Sequence, residues 1–224
     1  MSAAAVQGVA PAEQTRLFWA CVHEACAALL REEAALCALD RAVGDGDHGT
    51  NMARGARAIL AAEEQLRALP IAQALEKAGQ LIITHVGGAS GPLYGSLLLA
   101  TAHSWPSEPS VASIAAALTE GVAAVGRRGR STVGQKTVLD VLVPAAEALR
   151  TAADTRMASE SIAAMLAAAD AGFETSRALR AGKGRAAYVG ERSMGHHDPG
   201  AASARLCLHA VARVLLVEHS GEVG

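Results

Sequence analysis

Leu39-Asp40-Arg41-Ala42-Val43-Gly44-Asp45-Gly46-Asp47-His48-Gly49-Thr50-Asn51 interrupts a chain that is otherwise rich in alanine and leucine. Before it, apolar residues recur at helical spacing through Leu17, Cys21, Ala28, Leu29, Leu36 and Leu39. After it, Met52, Ala56, Ile59 and Leu60 again mark one face of a helix. Its middle, Gly44 to Gly49, is therefore a loop between helices. The stretch carries Asp40, Asp45 and Asp47 within eight positions. Like charges this close repel and raise one another's pKa, so a bound cation is the simplest device that holds them together. The rest of the chain reads as the frame for this loop.

That frame is helical. Hydrophobic residues make up 51% of the 224 positions, aromatics only 3%, and charged residues 19%. Alanine has the highest helix propensity, and small side chains let helices approach closely. No Pro/Ser-rich linker divides the sequence, so residues 1–224 are read as a single domain, with 1–12 as a disordered tail. A net charge of −2 leaves no basic footprint for nucleic acid. Cys21, Cys26, Cys37 and Cys207 form no Cys-x-x-Cys pair and read as free thiols. The N-terminus has no signal-peptide pattern, and the apolar runs are short of a membrane span, so a cytoplasmic setting is expected.

Periodicity predicts eight helices and no strand: residues 13–43 (with a charged break at Arg31–Glu33), 51–66, 71–86, 93–104, 111–126, 136–153, 159–180 and 198–218. Residues 138–143 have the composition of a strand but lie inside a helix-length segment. Pro70 suits a first helical turn, Ser159 is a candidate cap, and Asp198-Pro199 pairs a capping acid with a first-turn proline. Pro144 falls within the sixth helix. The glycine-rich or basic loops follow the first, third, fifth and seventh helices. In an up-down order all four lie at one end of an antiparallel bundle.

The loop chemistry at that end is consistent. Three carboxylates are hard oxygen ligands for one or two Mg²⁺, an ion usually shared with phosphates, although an Asp-Gly-Asp alone also fits a solvated turn. A calcium hand is excluded, since counting from Asp45 places Gly49 and Thr50 where Asp/Asn and Gly are required. His48 is a candidate phosphate contact, or simply a polar loop residue. The loop from Gly87 to Gly91 precedes a helix whose first N–H groups could face an anion. Gly129-Arg130-Ser131-Thr132-Val133-Gly134-Gln135-Lys136-Thr137 comes close to a phosphate loop, but Gln135 displaces the lysine and no strand precedes it. Lys183, Arg185 and Arg192 could neutralise phosphates. His196-His197-Asp198 lacks further ligands at zinc spacing.

Four of these stretches, taken in series, resemble the L-subunit family of dihydroxyacetone kinases. They are Leu39 to Met52; Gly87-Gly88-Ala89-Ser90-Gly91-Pro92-Leu93-Tyr94-Gly95; Lys136-Thr137-Val138-Leu139-Asp140-Val141-Leu142-Val143-Pro144; and Gly184 to Ala201. The resemblance implies an all-α, eight-helix antiparallel barrel with the nucleotide at one end. It implies two Mg²⁺ on Asp40, Asp45 and Asp47. Contacts to ADP or ATP would come from His48, Gly49, Thr50, Asn51, Ala89, Ser90, Gly129, Val138, Arg185, Asp198, Pro199 and Gly200. Arg185 would stabilise charge during phosphoryl transfer, and no general base is expected. In this family the triose sits covalently on a separate K subunit.

Two modes occur in the family: retained ADP recharged by a phosphotransferase-system donor subunit, or consumed ATP. A kinase for another small ketose and a nucleotide-sensing regulatory partner are further readings. Fatty acid kinases share the Gly-Asp-Gly-Asp loop but usually carry Thr in place of His48 and Asn-Ser-Gly in place of Ala89-Ser90-Gly91. The chain departs from the L-subunit pattern at Gln135, where an acid is common, and at Thr84-His85.

Overall fold

A computed structural model describes residues 10–221, with side chains through residue 217. Ten α-helices and one 3₁₀ segment run in order. They are α1 (Pro11–Arg31), α2 (Glu33–Val43), α3 (His48–Ala61), α4 (Glu63–Arg67), α5 (Ile71–His85), α6 (Ser90–His103), α7 (Val111–Gly129), α8 (Leu139–Ala153), α9 (Ala158–Arg177), the 3₁₀ segment (Arg185–Ser193) and α10 (Pro199–Gly221). No strand occurs among the described residues, and the segment around Val141 is helix, as its surroundings predict.

Eight of these helices close into a ring. α1 packs on α3, α3 on α5, and each of α5 to α9 on its successor; α9 then meets α10, and α10 returns to α1. The two extra helices are short continuations. α2 follows α1 after a break at Glu32, where the charged run 31–33 offers nothing to bury, and α4 follows α3 after Ala62. The all-α, eight-rod expectation therefore holds, with each of the first two rods broken once.

Several boundaries move for local reasons. Pro11 opens α1 at its first turn, so residues 11 and 12 belong to a helix; the remainder of the expected tail, residues 1–9, lies outside the described residues. α9 starts at Ala158 with Met157 before it, and Ser159 makes no cap. α6 begins at Ser90, three residues earlier than periodicity suggests, so Gly91 lies within its first turn. α7 carries a reciprocal cap: Ser110 Oγ accepts from Ser113 N at 3.1 Å and Ser113 Oγ from Ser110 N at 2.8 Å.

Two apolar clusters fill the ring. One joins α7 to α10 through Val125, Leu139, Leu142, Ile162, Met165 and Phe173. The other joins α1 to α5 through Trp19, Leu29, Leu36, Met52, Ile59 and Ile82. Tyr94 and Ala202 pack against both. One helix, Pro199–Val217 in α10, is long and apolar enough to cross a membrane by composition, contrary to the sequence reading. In the fold it packs between α1 and α9, and its Arg205 and Arg213 are ion-paired with Asp170 and Glu24.

The α8–α9 contact depends on two residues acting together. Pro144 has no N–H to bond the Asp140 carbonyl one turn back. Gly172 of α9 lies against that carbonyl, where an added Cβ would stand 2.1 Å from its oxygen. The obstacle is backbone, so it cannot swing aside. Gly172→Ala is expected to cost about 3 kcal/mol and to lower Tm by roughly 5–10 °C in thermal denaturation.

Candidate functional site

Asp40 organises the acidic loop. It sits in the last turn of α2, and its Oδ2 accepts N–H bonds from Gly46 (2.9 Å), Asp47 (2.9 Å) and His48 (3.1 Å). One buried carboxylate thus satisfies donors at the start of the next helix, folding the loop back on itself. Gly46 makes the turn at φ +82, where a Cβ would also strike the Arg41 side chain. Asp45 and Asp47 project outward. Ligand oxygens of Asp40, Asp45 and Asp47 lie within 4.8 Å of one another, the only such group of acids, histidines or cysteines among the described residues. Three hard oxygens at this separation fit Mg²⁺, with Asp40 Oδ1 left over from the amide bonding. Arg185 reaches across from the 3₁₀ segment and forms an ion pair with Asp45.

The loop opens on a cavity of about 470 Å³ at one end of the ring. All four predicted loops line it, as the up-down order requires. Four helix starts also reach it: His48 of α3, Ala89-Ser90 of α6, Thr137-Val138 of α8 and Asp198-Pro199-Gly200 of α10. Helix N-termini present free N–H groups and a positive dipole end, so the walls favour an anion. Lys183, Arg185 and Arg128 add full positive charges, and the acidic trio occupies one side. A cavity that pairs acids with anion-seeking helix ends suits a metal–phosphate ligand.

Two of the other helix starts are held by local devices. Asp198 caps α10, its Oδ2 accepting from Ala201 N at 2.7 Å. Asp140 fixes the loop before α8, accepting from Gly134 N and Thr137 N at 2.6 Å each. Ala181 and Ala186 pack on Val43, pinning the stretch that carries Arg185 to the end of α2. Ser193 closes that stretch, accepting from Ala181 N at 2.9 Å and donating to Gly190 O at 2.6 Å.

Most of the expected contact residues line the cavity: His48, Asn51, Ala89, Ser90, Gly129, Val138, Arg185, Asp198, Pro199 and Gly200. Gly49 and Thr50 do not. Gly49 faces α2, where a Cβ would stand 2.0 Å from Glu33 O, so its absent side chain serves helix packing. Thr50 turns toward Cys37, its N–H reaching Sγ at 3.3 Å. His48 is buried and not a surface loop residue; burial lowers its pKa against the opposing pull of Asp40 and Asp47, so the imidazole is neutral at pH 7. Lys136 is absent from the cavity: its Nζ lies beneath the end of α9. That removes the last element of a phosphate-loop reading. His197 stacks on Phe173 at 3.9 Å, and Arg192 and His196 line a separate cleft behind the acidic loop. Lining residues that the sequence did not single out include Tyr94, Ser131 and Thr137.

A DAK2 domain model matches residues 42–213. The chain belongs to the DAK2 domain family. Among DAK2 relatives, the ADP-binding subunit DhaL of PEP-dependent dihydroxyacetone kinase 1 from Listeria innocua is 38% identical over 77% of this chain and 83% of its own length. The corresponding subunit of Escherichia coli is 34% identical over 79% of this chain and 86% of its own. Human triokinase/FMN cyclase is 36% identical over 87% of this chain, which spans only 34% of that protein. The dihydroxyacetone kinase of C. freundii in complex with AMP-PNP and Mg²⁺ superposes with a TM-score of 0.69 at 28% identity. That match covers 95% of this chain and 36% of the longer one.

Asp198 carries a pH signature. Burial pushes its carboxyl up to about 7, and the nearby Asp140 adds to the effect, although one side opens on the cavity. In an unfolded chain the group titrates near about 4. Between those values the folded state keeps a proton that the unfolded state has released, so stability falls as pH rises through the window. Asp198→Asn preserves the cap without the charge. It is expected to stabilise the ligand-free protein by about 1–2 kcal/mol at pH 8, with the gain vanishing below pH of about 4. Thermal denaturation across that range checks it.

Proposed function

We propose that this chain is the nucleotide-binding subunit of a dihydroxyacetone kinase. It holds Mg²⁺ and ADP or ATP in the cavity and delivers a phosphoryl group to dihydroxyacetone carried on a separate K subunit. The observation that carries the reading is the acidic trio, within 4.8 Å, facing a cavity ringed by helix N-termini. The DhaL relatives are named as ADP-binding subunits, and the chain covers more than four-fifths of their length. In this reading the chain is a single L-type domain working in the cytoplasm.

Asp40, Asp45 and Asp47 would hold one or two Mg²⁺, and the bound metal would neutralise charge on the phosphates. Ser90, the start of α10 and the amides near His48 would position the phosphates, with Gly129 and Val138 on the opposite wall. Arg185, released from Asp45 as the acids take up metal, would lie beside the transferring group. Transfer of this kind needs placement and positive charge and little else from the protein.

A partner subunit would dock at this end. Val133, Tyr188 and Met194 are large apolar side chains left exposed on the loops at the cavity end, Tyr188 at 92%. Tyr188→Ala is expected to weaken association with the K subunit by about tenfold or more while leaving ADP affinity unchanged. Light scattering or calorimetry with purified K subunit reads the first, and nucleotide titration the second.

Reconstitution tests the whole reading. Purified chain, K subunit and dihydroxyacetone are combined with ATP, or with a phosphorylated carrier of the phosphotransferase system. Triose phosphate formed with one donor supports the proposal and assigns the donor. No product with either donor, but product from another small ketose, would redirect it to a related sugar kinase.

A further inference from the structure

Behind the acidic loop lies a second cleft, of about 320 Å³, which the phosphoryl transfer described above does not use. Arg41, Val43 and Gly44 at the end of α2 form one wall, and Val189, Arg192 and His196, from the 3₁₀ segment and the turn after it, form the other. The two walls are joined beneath by apolar packing of Val43 and Val189 with Ala181 and Ala186. The stem of Arg41 passes under the Gly46 turn, where an added Cβ would strike it. The residue that braces the acidic loop therefore also lines the cleft.

The charge in this cleft is unbalanced. No acid lines it. Among the described residues neither Arg41 nor Arg192 forms an ion pair or a side-chain hydrogen bond, in contrast to Arg185, Arg205 and Arg213. The acids closest along the chain are Asp45, already paired with Arg185, and Glu191, which lies outside the lining. More positive charge stands nearby: Arg177 Nε donates to Gly195 O at 2.9 Å, and the Arg180 guanidinium lies 4.0 Å from where a Gly190 Cβ would be. The end of α2 offsets only about half a charge. A single guanidinium fork satisfies a carboxylate, whereas two forks on facing walls suit a tetrahedral anion of about −1.5 to −2 charge.

We propose that this cleft is a second anion site, which takes inorganic phosphate or the phosphate group of a small monoester between Arg41 and Arg192, with the His196 ring as a further donor. The bound anion ties the end of α2, which carries Asp40, to the segment that carries Arg185. Those two elements also face each other across the larger cavity, through the ion pair of Arg185 with Asp45. The assignment is independent of what fills that cavity.

NMR of the His196 imidazole in the full chain tests it, since that ring lines the cleft and not the larger cavity. Sodium phosphate is titrated at fixed pH and ionic strength, with sodium chloride as the reference. A saturable shift is expected, with Kd of about 1 mM. Arg41→Gln/Arg192→Gln weakens it about tenfold or more, and Arg192→Gln alone about threefold or more. Lys183→Gln/Arg185→Gln, on the larger cavity, leaves it unchanged. Glycerol phosphate separates the two sources: equal affinity assigns a monoester, and loss of binding assigns the free ion. No saturable shift beyond the chloride reference, a shift undiminished in Arg41→Gln/Arg192→Gln, or one that vanishes in Lys183→Gln/Arg185→Gln would overturn the proposal. Both cleft arginines are exposed, so the fold should persist, and melting curves check it. Arg192→Gln leaves the brace under Gly46 in place, so its loss of binding does not come from a disturbed acidic loop.

Discussion

Replacing Asp45 and Asp47 together by asparagine is expected to lower ADP affinity in the presence of Mg²⁺ by about a hundredfold or more. Asparagine keeps the shape and an oxygen at each position but removes the charge that holds a small, strongly hydrated dication. Asp40 alone remains, and its Oδ2 is already committed to three backbone amides. Without Mg²⁺ the direction differs. Asp45 and Asp47 then repel phosphate, so the variant should bind ADP at least as well as wild type. The collapse of metal dependence is therefore the diagnostic quantity. The fold should persist: both acids are exposed, and the Asp45–Arg185 ion pair lies at the surface, where such a pair contributes less than about 1 kcal/mol. Calorimetry with and without Mg²⁺ reads both effects, and unchanged Mg²⁺-dependent binding would defeat the metal assignment.

Lys136→Met is expected to destabilise the protein by about 2–4 kcal/mol, lowering Tm by roughly 5–15 °C. Lys136 is completely buried, and its Nζ donates to the carbonyls of Ser176, Arg177 and Leu179 at 3.0–3.1 Å. Carbonyls at the end of a helix have no partner within it, and a cation there also meets the negative end of the dipole. Methionine fills a similar volume but donates to none of the three carbonyls: Ser176 O and Arg177 O keep the amides of Leu179 and Gly195, while Leu179 O loses the ammonium. The loss is smaller than for an uncompensated charge, since the ammonium itself was costly to bury. Lys136 also takes φ +58, so the loop before α8 is shaped around it. Loosening it should disturb Val138 on the cavity wall, and ADP binding should weaken alongside stability. A variant as stable as wild type in chemical denaturation would show that the end of α9 finds other partners.

Much of the site was legible because it is local. Asp40, Asp45 and Asp47 fall within eight positions, and crowded carboxylates need no tertiary information to be noticed. Asp198-Pro199 announced the start of α10 through cap and proline chemistry, and the fold put it there. Gly49 and Thr50 do not line the cavity, because adjacency in sequence to His48 says nothing about facing. Helical geometry turns successive residues about 100° apart, so one lines the cavity while the next two pack on α2. His48 read as a loop histidine because its burial is supplied by Ser90 and Ser203, the latter 155 residues away. No local pattern carries that information.

Sequence by itself determined the all-α class, through alanine-rich composition and periodicity near 3.6, and it determined that four unusual loops share one end, since short connections force neighbouring helices to run antiparallel. Tertiary structure alone decided what those loops do. It closed the ring through α10 and α1, sent Lys136 under α9 in place of a phosphate, and joined Arg185 to Asp45 across 140 residues. The physical reason is one of range. Propensity, capping and like-charge repulsion act over a few residues and are written into their neighbours. Which buried hydroxyl meets which imidazole depends on how whole helices pack, a choice set by the summed fit of the core.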